Sequence, residues 1–367
     1  MKTLPILSIG DIDVLRSQVQ LSEEAGALTA AQLEIIYKEK WFNMYLPPKY
    51  GGLGLGLPEA VKLIEKLAWV NGSIGWAVTL GSGANMFMGY LSEAAIAEFF
   101  NNPKVCVAGN GSNTGTATKV DGGYIINGNW KYATGSLHAT AFTANCVIVE
   151  DNGEGRISTG ESGSFIFKRD EVTVSRDWNG IGMKATSTNS FAVHHLFVPE
   201  ERKFSIDPVA ATLPDLLFQF PFLQFSEATL VANISGMVMH YTEECRRSFE
   251  ERIIHKTLPL EQSSEMLELL GRTMTCIEKS RDLFHQTLAS VWEHGKDTKQ
   301  WDSKLLTRLS ITSKRMVREL LQMVDGLHPY TGMEGADQRS DLNRIWRDIH
   351  TASQHQLVTF KHPVTAC

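Results

Sequence analysis

Nine consecutive residues, Trp130-Lys131-Tyr132-Ala133-Thr134-Gly135-Ser136-Leu137-His138, gather an aromatic wall, a hydroxyl, a turn and an imidazole into one short span of this 367-residue sequence. Trp130 can present a broad apolar face to a flat ring system. Thr134 supplies a hydroxyl that donates or accepts, Gly135 a turn, and His138 a ring nitrogen. A second group lies near the C-terminus, where Arg347-Asp348 precedes His355. On one helix Asp348 and His355 would lie two turns apart on nearly the same face, with Arg344 one turn further back, so the stripe could orient the imidazole. His355 could then hold or deliver a proton near neutral pH. Plainer roles stand against these. A Trp in a strand is more often packing, a Thr-Gly pair is turn chemistry, and an Arg-Asp pair on a helix is a surface ion pair worth little. His194, His195, His240 and His350 keep the plainer role.

The elements that must position these residues change period twice along the chain. From 11 to 103 the apolar spacing is helical, over Ala30–Phe42, Leu57–Leu67, Ile74–Met88 and Glu93–Phe100, with Pro47-Pro48-Lys49-Tyr50-Gly51-Gly52 breaking the run. From 104 the period falls to two. The turn Asp121-Gly122-Gly123 leads into Tyr124–Gly128, and further strands are predicted at 145–150, 164–168, 172–176 and 190–198. Short strands without helices between them predict an antiparallel sheet or barrel. After Pro221 the helical period returns, predicting long helices near 223–254, 261–294, 302–325 and 338–361 that pack as a four-helix bundle. The expected fold class is α+β and mostly α. Its segments are an N-terminal helical domain over 1–103, a middle β domain over 104–215 and the bundle over 216–367.

Composition narrows the function. A net charge of −6 argues against a phosphate-binding nucleic-acid surface, and no apolar run reaches the length of a membrane span. Met1-Lys2-Thr3-Leu4-Pro5-Ile6 has no signal-peptide pattern. Cys106, Cys146, Cys245, Cys276 and Cys367 are scattered, with no metal-ligand spacing, so each reads as a small buried hydrophobe in a reducing cytoplasm, and no metal is expected.

The order of domains is similar to that of the acyl-CoA dehydrogenase superfamily, and local sequences agree with it. Leu46-Pro47-Pro48-Lys49-Tyr50-Gly51-Gly52-Leu53-Gly54 resembles its P-x-x-Y-G-G segment, and Asn71-Gly72-Ser73-Ile74-Gly75-Trp76 its following helix start. Gly123–Trp130, Gly182–Thr188 and Phe197–Arg202 resemble strand pairs and the end of its β domain. One branch oxidises acyl thioesters with a Glu base. The other is the oxygenase component of two-component monooxygenases, which take reduced flavin from a separate reductase. Trp130-Lys131-Tyr132-Ala133-Thr134-Gly135-Ser136-Leu137-His138-Ala139 resembles that second branch's W-x-F-A-S-G-x-x-H-A, and Arg347–His355 its R-D-x-x-x-A-x-x-H. Gln354-His355-Gln356 offers no carboxylate where the dehydrogenases carry theirs.

The second resemblance implies a flavin C4a-hydroperoxide formed from reduced flavin and O2, acting on a small aromatic or heterocyclic substrate. It implies His355, Thr134 and His138 as catalytic residues. Trp130, Thr134, Gly135 and Asn110 are then expected to hold the cofactor, together with Thr186, Thr188, Arg246 and Arg347. Lys184–Ser190 and Arg246-Arg247-Ser248-Phe249-Glu250 depart from the family's patterns, which leaves FAD and FMN both open. Phe87, Tyr90 and the segment after Leu217 are the expected pocket walls, and a homotetramer the expected assembly. Two alternatives remain at this level: an FAD-dependent acyl-CoA dehydrogenase, with Glu334 as its base, and a non-catalytic relative that keeps the fold.

Overall fold

In the computed structural model the described residues are 7–151, 156–255 and 259–359. The helices before the sheet are α1 (Ile9–Ser17), α2 (Val19–Ala25), α3 (Ala30–Lys38), α4 (Leu57–Val70), α5 (Gly72–Asn85) and α6 (Glu93–Phe99). Their starts follow local chemistry. Thr29 and Gln32 form a reciprocal capping box on α3, and Ser92 accepts from the Ala95 amide at the head of α6. The Pro-Gly segment makes one short 3-10 turn, Pro48–Tyr50, ended by Gly51 in the left-handed region at φ 78°.

Seven strands follow: β1 (Val107–Val120), β2 (Gly123–Ala133), β3 (Ala141–Asp151), β4 (Arg156–Lys168), β5 (Thr173–Ser175), β6 (Asn189–Pro199) and β7 (Lys203–Phe204). They form one sheet in the order β5-β6-β2-β1-β3-β4-β7. The expected wholly antiparallel sheet is corrected at one place. β1 and β3 pair in parallel, Val107 opposite Ala141, because β2 turns back along the other edge of β1 and the chain then crosses over. β1 itself was not expected as a strand.

The bundle helices are α7 (Phe222–Ile254), α8 (Leu260–Thr298) and α9 (Ser303–Leu327), close to the expected bounds. The fourth expected helix, 338–361, is instead two, α11 (Asp341–Ala352) and α12 (Gln356–Thr359), with the short α10 (Gly332–Ala336) ahead of them; residues 360 and 361 lie outside the described residues. The break has a local cause. Ser353 Oγ and Gln354 Nε2 both donate back to the His350 carbonyl, which closes the last turn of α11.

Contacts group the chain into two compact units. The first takes in the chain up to Gly56, Ala77–Asn179 and Lys184–Phe222; the second takes in Leu57–Trp76, Gly180–Met183 and the chain from Leu223 onwards. In the first, the sheet core is aromatic, with Trp130, Phe142, Phe165, Phe167 and Phe191 all buried. In the second, Glu65 of α4 is 7% exposed and accepts from Ser235 of α7 and from Nε and Nη2 of Arg281 of α8. Burial alone would raise the Glu65 carboxyl, but Arg281 and His285 outweigh it and hold it at about 2. Lys314 of α9 lies 3.0 Å from the buried carboxylate of Glu227 on α7.

Cys106, Cys146 and Cys245 are buried as expected, whereas Cys276 is exposed on α8, which corrects its reading; Cys367 lies outside the described residues. Among the described residues no helix is long and apolar enough to cross a membrane, and no cluster of His, Cys, Asp and Glu could hold a metal ion.

Candidate active site

The β-rich unit gathers the hydroxyls at the end of β2. Thr134 Oγ1 lies 2.9 Å from Thr188 Oγ1, which lies 2.6 Å from Thr186 Oγ1. Around them the backbone is cross-tied. The Gly135 amide donates to Thr186 O at 2.9 Å, the Ser136 amide and hydroxyl both donate to Ser187 O, and Asn189 Nδ2 donates to Ser136 Oγ. Three residues of this knot have left-handed backbone: Tyr132 at φ 67°, Gly135 at φ 80° and Ser187 at φ 50°. Such conformations in Tyr and Ser persist only where the surroundings over-determine them, and they cluster at binding sites. Four expected residues, Thr134, Gly135, Thr186 and Thr188, are thus brought together. Thr186 is wholly buried, so it backs Thr188 and cannot itself touch a ligand, which corrects its expected cofactor contact.

Trp130 is corrected outright. Its side chain is 0% exposed, its ring stacks on Phe191 at 5.2 Å, and Nε1 donates to Asn145 O. Gly115 and Gly128 clear the space it fills, since a Cβ on either would come within 2.4 Å of the indole. The aromatic that does face outwards is Tyr132, 63% exposed and edge-on to Trp178 at 6.2 Å. Its exposure follows from a break in the pairing of β2 with β6 between Trp130 and Ala133, which rotates Tyr132 off the core face. Tyr132 was missed because strict alternation puts Trp130 and Tyr132 on one face. Only the adjoining Thr-Gly hinted that regular pairing ends there.

His138 is corrected from a catalytic to a packing role. Its ring stacks on Phe42 at 5.5 Å beneath the Gly135 turn, its Nε2 is sealed from solvent without a partner, and burial pushes its pKa down to about 4. That depression has a sign. The folded chain resists protonation that the unfolded chain accepts, so the neutral ring contributes fully above about pH 6.5 and the contribution drains away as pH falls towards 4. In urea titrations, His138→Phe is expected to flatten the loss of stability between those pH values. An unchanged slope would place the titrating group elsewhere.

Asn110 stands apart from the hydroxyl knot, its Oδ1 accepting the Ser112 amide in its own bulge at 2.7 Å. The expected pocket walls do meet within this unit. Phe87 packs on Phe204 and Phe222 at 5.6 and 5.4 Å, and Tyr90 donates to Phe218 O at 2.8 Å. Burial pushes the Tyr90 phenol up to about 12, so it remains a donor at any ordinary pH.

In the helical unit His355 lies beyond the end of α11, so the expected stripe with Asp348 and Arg344 on one continuous helix is corrected. Its Nδ1 accepts the Leu357 amide at the start of α12, which leaves the ring proton on Nε2. Trp76 lies edge-on at 6.1 Å, and burial lowers the ring's pKa, so at neutral pH it is an uncharged N–H donor. Arg347 donates to Ile181 O and Asn343 Oδ1, and Arg246 points to Met274 Sδ. Arg347 is 8% exposed and bonded to protein acceptors, so the structure gives it a role within the protein in place of the expected cofactor contact; Arg246 is exposed.

Residues 14–101 match the family model of the acyl-CoA dehydrogenase N-terminal domain, and residues 230–360 that of the C-terminal domain, together more than half of the chain. The chain belongs to the acyl-CoA dehydrogenase superfamily. Among its relatives there are proteins named as hydroxylases and monooxygenases. It is 27% identical to the pigment production hydroxylase of Rhodococcus sp. (strain ATCC 21145), over 84% of this chain and 80% of that one. It is 23% identical to the flavin-dependent monooxygenase oxygenase subunit HsaA of Mycobacterium tuberculosis, over 93% and 88% of the two chains. The crystal structure of that HsaA superposes with a TM-score of 0.86 at 21% identity, covering 95% of this chain and 94% of that one. XiaF from Streptomyces sp., in complex with FADH2 and glycerol, superposes equally well at 0.86 and 21% identity, covering 95% and 89%.

The dehydrogenase branch of the superfamily needs a free carboxylate base. Glu334, the one candidate weighed for it, accepts from Arg247 Nη2 at 2.7 Å and from the Ser248 hydroxyl. Both of its carboxylate oxygens are thus engaged by neighbouring donors.

Proposed function

We propose that this chain is the oxygenase component of a two-component flavin-dependent monooxygenase, working as a homotetramer in the cytoplasm beside a separate flavin reductase. Reduced FAD or FMN and O2 would hydroxylate a small aromatic or heterocyclic substrate. In balance, reduced flavin, O2 and R–H give oxidised flavin, R–OH and water, so the two electrons come from the reductase. The observation that carries this reading over thioester oxidation is Glu334 fastened to Arg247 and Ser248, while His355, its Nδ1 accepting the Leu357 amide, presents Nε2–H as a proton donor.

When bound, flavin supplies the redox chemistry and activates O2. The residues fit that group in the β-rich unit. Tyr132 and Trp178 offer an exposed aromatic face, and Thr134 with Thr188 offers hydroxyls beside it for polar ring atoms. The aromatic cluster of Phe87, Phe204 and Phe222 favours a flat apolar substrate. His355 Nε2–H is the group that would donate to, or hand a proton towards, a developing negative charge.

The test is to mix the pure protein, in excess, with reduced flavin under argon and then admit O2 with indole as probe substrate. Bound flavin should reoxidise more slowly than free flavin, and hydroxylated product should appear. Reoxidation at the free-flavin rate with peroxide alone, or bleaching of bound oxidised flavin by an acyl thioester, would refute the reading.

A further inference from the structure

Three residues on one face of α11 bond three consecutive backbone units elsewhere in the helical unit. Arg347 Nη1 donates to Ile181 O at 2.6 Å, the Gly182 amide donates to Thr351 Oγ1 at 3.0 Å, and the Met183 amide donates to Asp348 Oδ1 at 2.5 Å. Thr351 Oγ1 in turn donates to Arg347 O at 2.8 Å, which fixes the direction of its lone pairs. Arg347 Nε is held by Asn343 Oδ1 at 2.8 Å, one turn back.

The fit is close as well as complete. A Cβ on Gly182 would stand 2.2 Å from the Arg347 carbonyl oxygen, so no other residue can approach α11 there. Met183 is held at φ 54°, a left-handed conformation that a side-chain-bearing residue keeps only where its surroundings impose it. Asp348 is 2% exposed, and its other oxygen lies near Gly72, the first residue of α5, where the helix dipole favours a negative charge. Its Oδ1 is thereby aimed at the Met183 amide as the acceptor of that bond.

Met183 runs directly into Lys184–Thr186 and then Thr188, the segment whose hydroxyls meet Thr134. We infer that Arg347, Asp348 and Thr351 are positioning residues: they template the Ile181–Met183 turn and so fix the path by which the chain enters the flavin-binding hydroxyl segment. The inference rests on the flavin reading above, and it replaces a direct cofactor contact by Arg347 with an indirect one. Such a turn contributes little to the bundle's stability, because what it forms are three hydrogen bonds to backbone and not buried apolar area.

The experiment compares Asp348→Ala, Asp348→Asn, Thr351→Val and Thr351→Ser in the full chain. Amide exchange at Gly182 and Met183 is measured without flavin, reduced-flavin affinity by anaerobic titration, and the urea midpoint as a control. Ala and Val remove the acceptor; Asn and Ser keep one. One lost bond of this kind corresponds to roughly tenfold in an equilibrium constant. Asp348→Ala and Thr351→Val should therefore speed exchange at the two amides and weaken flavin binding about tenfold, with Asn and Ser restoring most of both. Equal flavin affinity in all four variants, while the wild type binds, would overturn the inference, as would amides already unprotected in the wild type. Failure of the wild type to bind flavin defeats the flavin reading and the inference with it. Exchange at the two amides then still reports whether α11 holds the turn.

Discussion

Trp130→Ala is expected to destabilise the chain by about 3–5 kcal/mol, the usual cost of emptying a buried Trp site, while Tyr132→Ala leaves the urea midpoint nearly unchanged. The two residues are separated by one position and have opposite surroundings. Trp130 is enclosed by Phe167 and Phe191, with its indole N–H bonded to Asn145 O. Removing it leaves a cavity, an orphaned carbonyl and two glycines that existed to make room for it. Tyr132 has its ring in solvent against the edge of Trp178, so its removal forfeits little packing. What it should forfeit is a stacking surface, worth roughly 1–2 kcal/mol, or about tenfold or more in flavin affinity. Denaturant titration of both variants with flavin titration of Tyr132→Ala checks this directly. A stable Trp130→Ala, or a Tyr132→Ala that binds flavin as the wild type does, would put the aromatic wall elsewhere.

That pair also shows where a sequence stops being informative. The helical periods of α4, α8 and α9 were legible because long amphipathic stripes carry their own bounds. β1 was not. Its middle, Gly109-Asn110-Gly111-Ser112-Asn113-Thr114, is polar and largely exposed, so no alternation marks it, and its parallel partner β3 lies across a crossover that no local pattern records. At the site, the Thr-Gly of residues 134 and 135 signalled a turn, but which aromatic it exposed depended on the pairing shift opposite β6.

The same limit applies to Arg347 and Asp348. Spacing offered either a surface ion pair or an imidazole partner, and neither describes them. Both side chains reach out of α11 to the backbone of residues more than 160 positions away. A charged pair that binds main chain leaves no periodic trace, since its partners are N–H and C=O groups that every residue possesses. His355 was found by its motif, yet its setting was misjudged for a related reason. The helix ends at Ala352 through side-chain bonds from Ser353 and Gln354 to one carbonyl, and helix propensity does not register such a stop.

His355→Ala should lower substrate hydroxylation about a hundredfold or more while O2 uptake continues and reappears as peroxide. The argument begins with the tautomer. Because Nδ1 accepts the Leu357 amide, the ring presents Nε2–H, and the bond survives only while Nδ1 is unprotonated. Burial lowers the pKa below the ordinary 6.5, which keeps the ring neutral through neutral pH. Protonation therefore costs twice: it places a charge in a poorly solvated setting and it removes the first hydrogen bond of α12. The neutral, competent form is full above pH 6.5 and is lost as the pH falls through the depressed value, so hydroxylation should decline on an acid limb lying below 6.5. His355→Gln separates two roles. Its amide can still donate a hydrogen bond but does not titrate or pass a proton, so the acid limb should vanish. If donation alone matters, turnover in Gln stays well above that in Ala. If proton transfer matters, Gln falls as far as Ala. An acid limb unchanged in the Gln variant, or hydroxylation unaffected in both, would remove His355 from the chemistry.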